Sequence, residues 1–318
     1  MAKEYSIQTL GQPNIYTSQL RNYSVFFSVP DNTERKASVN GIIIIIAGFG
    51  GRSESNVYKK MRGLFADKYN MVTVQCDYFG YEYMQKDLLE ENEESFCDMG
   101  PIQAMDNLIA LKCVKDYLKE KKISYENNVI AYGHSHGAYL AYLMNALMPN
   151  VLTCIIDNSA WLFPQYIDNN RFLRLECEGN IKTLQFDYIL RNIIFDRDIY
   201  NLQVMYKLFN NSTRIISFHG TADNLVSIND KLVFIADTKN ASIEIIGSNR
   251  IDEAFRSCGH GLDADFLKMF DYVMERYRTN ACKPTLAFDD RVFETKYAVY
   301  GIDNSDGIPV LYCTLKQQ

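Results

Sequence analysis

The chain has 318 residues, with 33 Lys+Arg against 39 Asp+Glu and a formal net charge of −6. A composition of 47% hydrophobic and 23% charged residues is that of a soluble globular protein and excludes intrinsic disorder. The acidic balance excludes a surface built to wrap nucleic acid, so no nucleic-acid partner is expected.

In chain order, Tyr23 to Val29 alternates in part and reads as a strand, followed by the turn cluster Pro30-Asp31-Asn32. Gly41 precedes Ile42 to Ile46, a β-branched run that predicts a central parallel strand covered on both faces. The run ends in Gly48-Phe49-Gly50-Gly51. Val57 to Asp67 has helical spacing, and Met71 to Cys76 reads as a second buried strand. Residues 78–99, with Asp87, Glu90, Glu91, Glu93 and Glu94, read as a solvated acidic loop or an exposed helix turn. Pro101 opens a helix running to about Lys121. Asn128 to Tyr132 is a strand, Gly133 to Gly137 a sharp turn, and Ala138 to Met148 a helix stopped by Pro149.

Leu152 to Ile156 is the next strand. Residues 160–211 then interrupt the alternation and read as a small helical insertion over the sheet, without a clear strand. A strand at Arg214 to Phe218, a helix near 227–236, a strand at Ser242 to Ile246 and a helix at about 262–277 follow. Residues 284–318 suggest a short antiparallel appendage with a turn at Asn304-Ser305-Asp306-Gly307. Strands alternating with helices predict an α/β protein, with a mainly parallel central sheet and helices on both faces. The expected organisation is a core of 1–159 and 212–280, an insertion at 160–211 and a β appendage at 281–318.

The eight cysteines contain no C-x-x-C pair, which argues against zinc and thioredoxin-like motifs; buried thiols in a reducing compartment are expected. Met1 to Leu10 lacks an apolar leader core, and the run Gly41 to Gly50 is far shorter than the ~20 residues of a membrane span. A cytoplasmic protein without a membrane span is expected.

Chemistry concentrates in Gly133-x-Ser135-x-Gly137, between a predicted strand and a predicted helix. Such a turn is too tight for a Cβ at the glycines, and it lifts the serine hydroxyl above the sheet. A serine hydroxyl needs a base to attack. Of the four histidines, His134 and His136 flank Ser135 and should splay away from it. His260, in the loop Ser257-Cys258-Gly259-His260-Gly261, is favoured over His219 because chain order Ser, acid, His suits this site type. The acid that would orient it is Asp223, in the glycine turn after the strand at 214–218, with Asp157 as its rival. Oxyanion donors are expected from the N–H of His136 and from Phe49, with Gly50 second. Trp161 is a candidate for substrate contact. His134-x-His136 lacks the companions of a metal site, and no metal or cofactor is expected.

On these residues the chain resembles the α/β-hydrolase superfamily over roughly residues 12–280. The segments Gly100-Pro101-Ile102-Gln103-Ala104-Met105-Asp106, His134-Ser135-His136-Gly137-Ala138-Tyr139-Leu140-Ala141, Ile156-Asp157-Asn158-Ser159 and Cys258-Gly259-His260-Gly261-Leu262 resemble a branch of bacterial hydrolase-like proteins of unassigned function. The resemblance implies a triad of Ser135, Asp223 and His260, and a lid at 160–211. Ala47 stands where the common H-G-x-x oxyanion pattern has histidine, which leaves the donor within Gly48 to Gly51 open.

The expected function is a serine hydrolase cleaving a small-molecule or glycan ester, such as an acetyl on a sugar. A serine acyltransferase passing the acyl group to a glycan or small-molecule hydroxyl is the alternative, and an idle hydrolase-fold binding protein the third. Oligomeric state is not legible.

Overall fold

Runs of β-branched and aromatic residues become the strands of one eight-stranded sheet. In chain order these are β1 (Lys3–Leu10), β2 (Asn22–Val29), β3 (Ile42–Ile46), β4 (Val72–Cys76), β5 (Val129–His134), β6 (Cys154–Asn158), β7 (Arg214–Gly220) and β8 (Ala241–Ile246). The computed structural model describes residues 1–31, 37–177, 180–279 and 287–317. The spatial order is β1-β2-β4-β3-β5-β6-β7-β8. β1 and β2 run antiparallel to their neighbours, and every other pairing is parallel.

The isoleucine strand shows how the sheet is covered. Ile42, Ile44 and Ile46 pack into one apolar cluster, and Ile43 and Ile45 into a second on the opposite face. The first cluster holds the apolar sides of α2 (Pro101–Glu120), α3 (His136–Leu147) and α4 (Ile228–Asp237), the second those of α1 (Asn56–Tyr69) and α5 (Phe266–Arg276). A strand buried on both faces loses the usual polar alternation, which is why five identical apolar residues fit there.

One strand is added to the expected elements and three expectations are corrected. Lys3–Leu10, which the sequence analysis does not assign, is an edge strand whose lysine, glutamate and glutamine hide the pattern; seven of its partners in β2 lie between Tyr23 and Val29, and Leu10 faces Asn22. Residues 78–99 are not uniformly solvated: Tyr78, Phe79, Met84, Phe96, Cys97 and Met99 are buried, and only the stretch between them is exposed. The insertion at 160–211 is not simply helical. It holds an antiparallel hairpin, Arg171–Cys177 with Asn180–Phe186, beside the short helices Gln165–Asp168, Leu190–Ile193 and Leu202–Met205. The expected helix at 262–277 starts late, at Phe266, after a one-turn segment at His260–Asp263.

The C-terminal strands Arg291–Glu294, Ala298–Asp303 and Val310–Leu315 form a separate antiparallel sheet. Parts of the 281–318 segment, residues 281–286 and 318, lie outside the described residues. The turn at 304–307 closes with Gly307 N–H donating to Asn304 O at 3.1 Å. Gln12 ties this sheet to the start of the chain, accepting from Leu311 N–H and donating to Leu311 O.

Candidate active site

β5 ends and α3 begins within two residues, so the chain reverses sharply at Ser135. Ser135 takes φ 53° and ψ −116°, a conformation that costs a residue with a Cβ about 1–3 kcal/mol. The glycines are there for room. A Cβ on Gly133 would come within 2.4 Å of the Ala138 backbone, and one on Gly137 within 2.2 Å of Ile46 O and 2.6 Å of Ala47 O. The second contact also brings the end of β3 against the turn. The turn is pinned by Ser135 N–H donating to Asn158 O at 2.7 Å.

His260 arrives from the far side, on the loop after β8. Its Nε2 lies 2.7 Å from Ser135 Oγ, and its Nδ1 lies 2.8 Å from Asp223 Oδ2. Asp223 follows β7 and does two things. Oδ1 accepts the N–H groups of Leu225 and Val226, which makes the turn, while Oδ2 holds the imidazole. Burial pushes the Asp223 carboxyl upward, but the hydrogen bond and charge of His260 and the two N–H donors outweigh it, leaving it below its ordinary value. An ionised Asp223 only accepts, so Nδ1 carries the proton and Nε2 presents a lone pair to the serine hydroxyl.

The His260 loop is held by backbone and by the strand next to the turn. A Cβ on Gly220 would meet Cys258 O at 2.2 Å, and Ala222 N–H donates to Cys258 O at 2.8 Å. Asn158 Nδ2 donates to Gly261 O at 3.1 Å, and Gly261 N–H donates to Ser159 Oγ at 3.0 Å. In the sequence, Asn158 and Ser159 are named only within a segment that carries the resemblance, and are given no role. The signal that could have raised them is their place at the carboxyl end of the strand beside β5, where ligand-facing groups gather on such sheets.

The other histidines stand elsewhere. Burial and the His260 charge push His134 down to about 4, and burial pushes His136 down to about 3. His136 Nε2 pairs with Gln103 Oε1 at 2.7 Å, away from the serine. His219 Nε2 donates to Val226 O, and its Nδ1 is 3.8 Å from Asp223 Oδ2, behind the acid rather than beside the serine. Asp157, the rival acid, is fully buried and pairs with Lys231 at 2.7 Å. It also accepts from Tyr142 Oη, Ser217 Oγ and Ala160 N–H, so its oxygens serve the interior between β6, β7, α3 and α4.

The loop after β3 lies against the start of α3. The Phe49 ring sits 5.4 Å from the His136 ring, and Gly50 takes φ +82°. Gly48 N–H is taken by Tyr58 Oη at 3.1 Å and Gly51 N–H by Gly48 O at 2.8 Å. His136 opens α3, so its N–H belongs to the first-turn donors that have no intrahelical acceptor. Trp161 is 1% exposed and packs on Phe49, His136 and Tyr166, so it stands behind the Phe49 ring. Among the described residues no three His, Cys, Asp or Glu side chains stand together as metal ligands, and no helix is long and apolar enough to cross a membrane.

The fold is that of the α/β-hydrolases. The chain is similar in structure to Est1E from Butyrivibrio proteoclasticus, solved with ferulic acid bound, at 17% identity and a TM-score of 0.52, covering 80% of this chain and 93% of that one. It is similar to Thermogutta terrifontis esterase 2 at 15% identity and 0.52, over 84% and 94% of the two chains. The acylaminoacyl peptidase of Pyrococcus horikoshii gives a TM-score of 0.58 at 13% identity, over 91% of this chain but 43% of that one. A family model described as a protein of unknown function, DUF2920, matches residues 81–169, a stretch that includes the Ser135 turn. No curated protein matches the chain in sequence.

Proposed function

We propose that the protein is a serine esterase acting through an acyl-enzyme. Ser135 attacks the ester carbonyl, His260 takes the hydroxyl proton and returns it to the leaving alcohol, and Asp223 holds the imidazole and stabilises its charged form. Water then enters, His260 deprotonates it, and the acid is released with Ser135 restored. The N–H of His136 and one from Phe49 or Gly50 take the charge that develops on the carbonyl oxygen. In this reading residues 160–211 cap the site, on a core of 1–159 and 212–280, and 281–318 form an appendage. The free buried thiols Cys76, Cys97 and Cys154 suit a reducing, cytoplasmic setting.

One observation carries this reading: an unbroken hydrogen-bonded chain from Ser135 Oγ through His260 to Asp223, starting on a strained turn. A structural serine has no need of a costly backbone conformation that aims its hydroxyl at an imidazole. The experiment is labelling with a fluorophosphonate probe, alongside turnover of p-nitrophenyl esters of rising chain length. Wild type should label and turn over, and Ser135→Ala should do neither while keeping its circular dichroism. Folded wild type that does not label would overturn the proposal.

A further inference from the structure

Arg171 opens the insertion's hairpin and faces Phe186 across it. Strand alternation puts Arg171 and Leu173, with their partners Phe186 and Leu184, on the face turned toward the body; Leu184 and Phe186 are buried, while Phe172 on the other face is exposed. The Arg171 guanidinium lies 4.3 Å from the centre of the Phe186 ring, 4.8 Å from Phe49 and 5.9 Å from Tyr166. Nη1 donates to Met84 O at 2.8 Å and to Tyr188 Oη at 3.1 Å. A methyl on Gly50 would stand 3.5 Å from Nη2, so the cation reaches the loop that would supply the second oxyanion donor.

The groups that hold this cation are neutral: aromatic faces, a carbonyl and a phenol. Among the described residues no carboxylate pairs with it. Glu91, on the adjoining loop, gives its two oxygens to the N–H groups of Cys97 and Ile189 instead. Arg171 is only partly exposed, in a chain whose net charge is −6. A partly desolvated cation without a counter-charge is poised for an anion, and a planar guanidinium suits a carboxylate. The rings of Phe49, Tyr166 and Phe186 fix its orientation before a ligand arrives.

We infer that Arg171 is a specificity residue that takes a carboxylate carried by the substrate, so that the preferred esters are anionic. The inference rests on the esterase reading for the position of the scissile bond. It does not rest on it for the anion site itself.

The test compares free-acid and methyl-capped forms of two esters, p-nitrophenyl adipate and 4-carboxyphenyl acetate, which place the charge on the acyl and the alcohol side. Wild type should prefer the free acid of at least one pair by about tenfold or more in kcat/KM, the scale of a hydrogen bond to a charged group. Arg171→Gln should bring that ratio close to one, and Arg171→Lys should keep part of it. Equal turnover of both pairs by wild type, or a ratio unchanged in Arg171→Gln, overturns the inference; a merely structural role would lower both members in parallel. Binding of adipate and of 4-hydroxybenzoate to Ser135→Ala, measured by calorimetry, separates the two proposals because it needs no turnover. Binding that disappears in Ser135→Ala/Arg171→Gln supports the anion site even if Ser135 proves unreactive. Absence of binding to Ser135→Ala, with no turnover preference, removes the site.

Discussion

The backbone carbonyl of Asn158 accepts the N–H of Ser135 at 2.7 Å. The same residue's side chain donates to Gly261 O, beside His260. One position at the end of β6 therefore braces both the serine turn and the imidazole loop. Asn158→Ala keeps the backbone bond and removes only the second brace, and Ser159→Ala removes the acceptor of Gly261 N–H. Each should lower kcat by about tenfold, with little change in KM, because misplacement of a reacting group by a fraction of an ångström is costly. Steady-state kinetics on one p-nitrophenyl ester checks this; unchanged kcat in both variants means the loop is held by other contacts.

Asp223 and Asp157 separate by phenotype. Asp223→Asn should reduce kcat by about 10³–10⁴ and leave the fold standing, since the imidazole loses its tautomer control while the turn keeps an oxygen acceptor. Asp157→Asn leaves Lys231 buried without its counter-charge, and should cost about 3–5 kcal/mol of stability. Its activity per folded molecule should stay near wild type. Denaturant melts and active-site titration decide this, and the reverse pattern would make Asp157 the working acid.

Backbone strain at Ser135 is measurable. Glycine is at ease at φ 53°, so Ser135→Gly should gain about 1 kcal/mol over Ser135→Ala, after the added freedom of the unfolded chain is set against relieved strain. Both variants lack the hydroxyl, so any difference in denaturation midpoint reports the backbone alone. A Ser135→Gly midpoint below that of Ser135→Ala, the order that unfolded-chain freedom alone would set, would show an unstrained turn.

Glu91 joins the acidic loop to the insertion through Ile189 N–H. Burial raises its carboxyl from 4.5 to about 7, against the pull of its two backbone N–H donors. A raised folded-state value means the folded protein binds the extra proton more tightly than the unfolded chain. The resulting stability is full below about 4.5 and fades as pH rises through about 7. Relative to Glu91→Gln, wild type should therefore lose a few degrees of melting temperature between about pH 5 and about pH 8. A difference that is flat or of opposite sign across that window refutes the assignment.

Much of the architecture was legible locally. Ile42 to Ile46, Met71 to Cys76 and Asn128 to Tyr132 announce buried strands by composition alone, and Gly133-x-Ser135-x-Gly137 announces the turn because only glycine clears the neighbouring backbone. β1 was hidden because its inner side is marked by little more than Tyr5 and Ile7, among polar and charged neighbours; its burial is slight along most of its length. The hairpin in the insertion was hidden for a related reason. Arg171 and Arg174 interrupt its apolar positions, and the apolar character of Phe172 and Ile181 points outward.

By itself the sequence determined the order of the central strands and their helices, the sharp serine turn and a short roster of histidines and acids, since these follow from side-chain size, branching and the backbone freedom of glycine. Which acid faces His260, that Asn158 and Ser159 brace its loop, and that Arg171 comes to rest beside Gly50 were decided only by tertiary structure. Those relations depend on which strand ends abut across the sheet and on how an inserted hairpin packs back, and such contacts span 37 residues of chain between Asp223 and His260 and 103 between Asn158 and Gly261, which local chemistry does not register.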